Sequence, residues 1–189
     1  FAFDILKVTN DKERQEKLIT MGMRSLKKSL ELVEGLLDAI SVKAGEGIML
    51  NFADTDIVKE IKWVANEASE IYTKEISFHT EAKSMRGIFD GTAIRRVVEN
   101  LVTNAMKYGA PDTPITIQLE EVESSVIIKV HNHGKAIDIE NQSDIFNFLN
   151  RGSGSHDSGL ESWGMGLTLV KSVANAHGGK VDLHSTDEE

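Results

Sequence analysis

The stretch TAIRRVVENLVTNAMKYG, residues 92–109, decides how the rest of the chain is read. Ile94, Val97, Val98, Leu101 and Ala105 recur at three- and four-residue spacing, which places them on one face of a helix. Asn100, Asn104 and Lys107 or Tyr108 recur with the same period and make a polar stripe on another face. A solvated face would ordinarily carry Glu, Lys or Gln, because asparagine inside a helix costs roughly half a kcal/mol against alanine and competes for backbone hydrogen bonds. Two asparagines in register therefore have two readings, tolerated surface residues or a stripe kept for a task. Gly109, ahead of Pro111, is the expected C′ residue that ends the helix.

Downstream, Ile115, Ile117 and Leu119 alternate with polar neighbours. A Ser124-Ser125 turn then leads to Val126–Val130, so a β-hairpin is predicted. The hairpin runs into His131-Asn132-His133-Gly134-Lys135-Ala136-Ile137. Gly134 lets backbone approach a flat ligand closely, and Asn132 offers an acceptor beside an amide donor, the pairing an adenine edge wants. A plain turn would look the same. Between Asn150 and Gly166 the composition turns to Gly and Ser, a length of structureless chain that marks a lid or a disordered segment. Gly164-Met165-Gly166-Leu167-Thr168 then opens a helix that runs to about His177, closed by Gly178-Gly179. Free N–H groups at a helix start attract anions, and glycines let phosphate oxygens come near. This signal is weak alone, since it has neither a third glycine nor a Gly-Lys pair. Lys180–Leu183 reads as the start of a strand.

Upstream, Ile48–Phe52 reads as a short strand, and Asp54 or Thr55 as the cap of a helix carrying Ile57, Ile61, Val64, Ala68 and Ile71 on one face. Ile76–His79 reads as a second strand. Strands alternating with helices around a hairpin predict the α+β class, a two-layer sandwich with helices on one face of the sheet. Ahead of it, Asn10 with Glu13 forms a capping-box pattern, so a helix should start near Asp11. Phe1–Val8 reads as the tail of a preceding helix. Ile19, Met23, Leu26, Leu30, Val33, Leu37 and Ile40 then follow at spacings alternating between four and three. A lone amphipathic helix tolerates a looser period. The strict heptad favours a helical hairpin in a bundle between two chains, a homodimer through helix 11–42. Gly45 and Gly47 end it, so the expected division falls at Ala44–Gly47, with domains 1–44 and 45–189.

The 189 residues, 40% apolar and 27% charged, are those of an ordinary globular protein. A net charge of −9 argues against a nucleic-acid partner, because duplex affinity comes from Lys and Arg displacing counterions. It does not bar a small polyanion, which magnesium and backbone N–H groups can attract locally. Cysteine is absent, so no disulfide or thiolate metal site is possible. The six histidines include no helical i, i+4 pair beside a carboxylate. No apolar run approaches the roughly 18 residues needed to span a bilayer, so any membrane attachment belongs to regions outside this chain.

The order and spacing of these elements resemble those of sensor histidine kinases, whose ATP-binding domain has the Bergerat fold. Residues 96–109 look like the N box, Val130-His131-Asn132-His133-Gly134 like the first glycine box, and Ile145-Phe146-Asn147-Phe148 like the F box. Trp163–Val170 with Ala176–Gly179 looks like the second glycine box. Leu36-Leu37-Asp38 with Lys43-Ala44-Gly45 resembles the end of the second dimerisation helix, so the likeness covers nearly the whole chain.

The resemblance implies the roles. Asn104 would coordinate Mg²⁺, Asn100 would stand one turn earlier beside the phosphates of ATP, Lys107 would touch phosphate oxygens, and Tyr108 would line the nucleotide pocket. Asn132 and Gly134 would meet the adenine. Gly164, Gly166, Leu167 and Thr168 would hold phosphates under a lid at 150–162, with Arg151 as a further phosphate ligand. The implied activity is ATP-dependent phosphorylation of a protein histidine, in the cytoplasm, followed by transfer to an aspartate of a response-regulator receiver domain. A hydrolase of the same fold and a non-catalytic nucleotide-binding dimerisation module are the alternatives. The sequence departs from the family's pattern where Asn132 replaces the usual aspartate, and where Ala136 and Ser162 replace glycines. No histidine precedes His79, so the resemblance puts the phosphoacceptor upstream of Phe1.

Overall fold

In the computed structural model the described residues are 12–43, 48–72, 74–142, 144–146 and 166–186. The expected helix tail at 1–8, the cap at Asn10, the hinge at 44–47 and the lid at 150–162 lie outside them, as do Arg151 and Gly164. The first described element is a single helix, α1 (Lys12–Lys43), over the heptad stretch. Next come β1 (Ala53–Asp56), α2 (Ile57–Ile71), β2 (Ile76–His79), β3 (Arg86–Phe89) and α3 (Gly91–Tyr108). The hairpin β4 (Ile115–Val122) and β5 (Ser125–Asn132) follows, then the short α4 (Ile139–Gln142) and α5 (Gly166–Ala176).

Two sheets form. β1 and β3 pair antiparallel as a ribbon, and β2, β4 and β5 make a three-stranded sheet in that order. β2 runs parallel to β4, with Ile76 opposite Ile115, so the sheet is mixed. The parallel pair is possible because the long connection through β3 and α3 carries the chain back to the same end of the sheet. α2 and α3 cover one face. Ile57, Ile61, Val64 and Ala68 of α2 meet Ile94, Val98 and Val102 of α3 above Ile117 and Leu119 of β4. The alternation read in β4 is borne out, as Ile115, Ile117 and Leu119 are all buried.

Several expectations need correction. Ile48–Phe52 is not a strand; the strand lies at Ala53–Asp56, because its partner β3 reaches only that far, with Ala53 opposite Phe89. Asp54 and Thr55 therefore lie in β1, and the residue before α2 is Asp56. Even Asp56 makes no side-chain cap. Its carboxylate accepts instead from Met85 N–H at 3.1 Å and from the Ser84 hydroxyl at 2.9 Å. Burial pushes its pKa up, but those bonds outweigh this and hold it below the usual carboxylate range. Ile71, expected on the buried face, is 56% exposed at the end of α2. The hairpin turn is Glu123-Ser124, one residue early, with Val122 opposite Ser125 and Glu123 at φ 57°. Residues 180–183 form no strand.

A second cluster joins α5 to α3, with Leu169 and Val173 packed on Ala93 and, around them, Val97, Ile48 and Leu50. Asp90 pins this side. Its carboxylate accepts from Ala93 N–H at 2.9 Å, capping α3, and from Asn51 N–H at 2.8 Å. Its own N–H donates to His177 Nε2 at 3.1 Å, while His177 Nδ1 sits 2.9 Å from Val173 O. α5 ends in a Schellman arrangement, Gly179 N–H to Ala174 O and Gly178 N–H to Asn175 O, with Gly178 at φ 75°.

Burial raises the Asp90 pKa, but hydrogen bonds from Ala93, Asn51 and Thr92 and the nearby His177 outweigh it, so the net shift is downward. A carboxyl whose folded pKa is depressed contributes stability above its unfolded value, about pH 4, and loses it as pH falls through the folded value. Asp90→Ala should lower unfolding free energy by about 2 kcal/mol, from the lost cap and the orphaned Asn51 N–H. Urea melts should also show a shallower stability loss below about pH 4 in the variant than in the parent.

Candidate functional site

The stripe read from the sequence continues the row of Ala93 and Val97 along α3, seven residues on from each, on the side where those two pack against α5. Asn100, Asn104 and Lys107 are each half-buried, and Tyr108 is 51% exposed. Asn100 donates its amide to Arg96 O at 2.7 Å, back-bonding to the preceding turn. This fixes Oδ1 toward α5, where a Cβ built on Gly166 would stand 2.5 Å from it. A side chain at 166 would therefore have to displace the end of the Asn100 amide, so the two helices approach closely there. Asn104 makes no side-chain hydrogen bond to the described residues.

The far end of the stripe meets the loop after β5. Gly109 bridges Gly134, and Ala110 N–H donates to His133 O at 2.6 Å. A Cβ on Gly134 would lie 2.8 Å from Tyr108 O and 3.4 Å from Asn132 Nδ2. The glycine at 134 is therefore needed for the close approach of this loop to the backbone of Tyr108. Gly109 differs from expectation. It is extended, at φ −70° and ψ 148°, not left-handed, and any side chain there would collide with Ala105 O. Lys107 Nζ lies 4.9 Å from the Tyr108 ring centroid, within cation–π range.

Asn100 with Gly166, and Tyr108 with Asn132 and Gly134, are thus brought together at two points on α3. Eight residues of helix separate them, on the order of 12 Å. Leu167 and Thr168 open α5 beside the first point, and the Thr168 hydroxyl donates to Phe146 O at 3.3 Å. Asn147 and Phe148 of the expected F box lie outside the described residues. A cavity of about 450 Å³ opens elsewhere, at the start of α3, lined by Leu50, Asp90, Thr92, Arg95, Arg96 and Val173 among others. It contains none of the residues nominated from sequence. The cavity lies beside the Asp90 cap of α3.

Sequence reasoning missed Lys74, whose Nζ donates to Ala110 O at 2.7 Å. No periodicity marks it, as it sits in an irregular segment. It also missed Asp90, although an aspartate ahead of Gly91 and a helical run is a cap signal.

The fold is the two-layer α+β sandwich expected of a Bergerat ATP-binding domain, with its polar stripe facing the start of the final helix. Residues 89–189 match the family described as histidine kinase-, DNA gyrase B- and HSP90-like ATPases, and the chain belongs to that family. Among curated proteins it is similar to the sensor histidine kinase YvrG of Bacillus subtilis (strain 168), 31% identical over 130 residues, which cover 69% of this chain and 22% of that protein. It is also similar to the sensor protein KdpD of Clostridium acetobutylicum, 29% identical over 175 residues, 91% of this chain and 19% of that protein. The chain thus spans about a fifth of these relatives. Full-length ShkA, solved in complex with AMPPNP, shares the fold with a TM-score of 0.66 at 22% identity, covering 92% of this chain and 36% of that one.

Gly166→Ala is expected to force the Asn100 amide aside and destabilise by about 1–3 kcal/mol. Asn100→Ala should relieve most of that, so a double-mutant cycle in urea should give a coupling of about 1 kcal/mol.

Proposed function

We propose that this chain is the ATP-binding core of a sensor histidine kinase, with residues 1–44 belonging to its dimerisation helices and 45–189 to its catalytic domain. The observation that carries the reading is the pair of contacts along α3. One end of the stripe meets the amide-rich start of α5, the other meets Asn132 and Gly134, and the span between suits a nucleotide lying along the helix. In this reading the adenine rests at Asn132 and Gly134 beside Tyr108, and the phosphates lie at Asn100, Gly166, Leu167 and Thr168. Lys107 supplies positive charge to the phosphates, with Arg151 and Gly164 completing their cradle.

Asn104 fits a magnesium ligand because its half-buried amide oxygen is not engaged by the described residues, and a hard cation that keeps most of its waters needs few protein oxygens. The ion would supply charge neutralisation on the phosphates. The chain's own residues have the task of positioning, which is most of what phosphoryl transfer demands of a protein. The acceptor would be a histidine upstream of Phe1, and the next acceptor an aspartate of a receiver domain. Hydrolysis is disfavoured because the place one turn before Asn104 holds Asn100, whose amide is committed to Arg96 O. Glu99 is about 100° away around the helix.

Pairing of two chains is supported by the heptad seam of α1, where Met23 is 66%, Leu26 59% and Val33 55% exposed. Among the described residues no helix is long and apolar enough to cross a membrane. A cytoplasmic location for this portion accords with the use of ATP.

Asn104→Ala should weaken magnesium-dependent ATP binding at least tenfold in titration calorimetry, about 1.4 kcal/mol, with smaller change when magnesium is chelated. Unchanged binding would sink the metal assignment. A chain extended upstream to include a histidine should become labelled by γ-phosphate, and extension without labelling would favour a silent binder. Leu26→Lys with Val33→Lys should convert a dimer to monomer in light scattering, because each lysine would desolvate its charge inside the seam.

A further inference from the structure

We propose that Lys74 is a positioning residue for the base-reading end of this site, setting how Asn132 discriminates between purines. The inference rests on the nucleotide reading above. Lys74 enters β2 and is half-buried, and no carboxylate among the described residues lies within ion-pair distance of it. Its ammonium donates to Ala110 O at 2.7 Å, and the Thr113 hydroxyl donates to the same carbonyl at 2.9 Å. The N–H of Ala110 donates to His133 O at 2.6 Å. Ala110 is therefore gripped at both polar groups, by Lys74 on one side and by the residue after Asn132 on the other.

The glycine before it shows how close these groups stand. A Cβ on Gly109 would lie 3.3 Å from Lys74 Nζ and 3.3 Å from Asn132 Nδ2. An ammonium held by a carbonyl makes a stronger bond than a neutral donor would, so the turn at 109–110 is fixed from the β2 side. The Asn132 amide is held far less firmly. Its one hydrogen bond, Nδ2 to His133 O, is 3.3 Å long.

That weakness matters because an amide has two different ends. Its oxygen suits the 6-amino group of adenine, and its NH₂ suits a 6-oxo group such as that of hypoxanthine. With His133 O in place, the NH₂ is drawn inward and the oxygen is left for the base. His133 O keeps that place because Ala110 N–H holds it, and Ala110 is anchored by Lys74. Without the ammonium the turn would loosen and either end of the amide could face the ligand.

The test is competition of ATP and ITP, which differ in the 6-amino against the 6-oxo group, for a fluorescent nucleotide on the parent chain and on Lys74→Met and Lys74→Arg. A site that reads a hydrogen-bonding group rejects the analogue lacking it. The parent should prefer ATP about tenfold or more, and Lys74→Met should lose about tenfold in ATP affinity with ITP little changed. Lys74→Arg, which keeps a charged donor, should restore most of the preference. If Lys74→Met does not fold, Lys74→Gln carries the same test, with the preference falling but not vanishing. Equal loss of both nucleotides, no loss of either, or a parent that binds both alike overturns the assignment while leaving nucleotide binding intact. A parent that binds neither overturns the nucleotide reading itself.

Discussion

Helix α3 has to serve three surfaces at once, and the rest of the structure follows from that demand. Val98 and Val102 face α2 and the sheet, Ala93 and Val97 face α5, and Asn100 and Asn104 carry that second row onward along the helix. A helix packed on two sides has little freedom to rotate, because turning it by one residue would carry buried valines to the surface and asparagines into the core. The stripe's direction is thus set by hydrophobic packing, not by any contact with a ligand.

Close approach is the second consequence. With α3 held on both sides, its polar residues meet backbone at Gly166 and at Gly134, where a side chain would collide with Asn100 or with Tyr108 O. These glycines are needed for space. Only at Gly178, with φ 75°, is a left-handed backbone the reason. In the proposed reading such a site would present backbone N–H groups and amide side chains to phosphate, which a net charge of −9 does not bar.

The two asparagines gain different characters from this packing. Asn100 is tied back to its own helix and pressed against α5, so it acts as a spacer between two helices. Asn104, one turn on, is left with its amide unengaged by the described residues. Identical residues four apart look equivalent in a sequence. Their neighbours tie the amide of Asn100 to Arg96 and leave that of Asn104 unengaged by the described residues.

Much of this was legible in the chain itself. The 3.6-residue period of α2 and α3, the alternation in β4, the heptad of α1 and the closing glycines of α5 are local signals, written in residues a few positions apart. The residues of the proposed site that fall within the described part came from the same local motifs. What depends on distant partners was not legible. Strand β3, Arg86-Gly87-Ile88-Phe89, has little strand character and pairs with Ala53-Asp54-Thr55-Asp56, 30 to 36 residues away. The carboxylate of Asp56 turned from its own helix to Met85, and Lys74 reached across to Ala110, for the same reason. Sequence by itself determined the helices, the hairpin, most of their buried faces and the identity of the polar stripe, because periodicity is a property of neighbouring residues. Tertiary structure alone decided which strands pair, which carboxylates cap, and which carbonyl the half-buried ammonium of Lys74 reaches, because those depend on where distant backbone donors and acceptors come to rest.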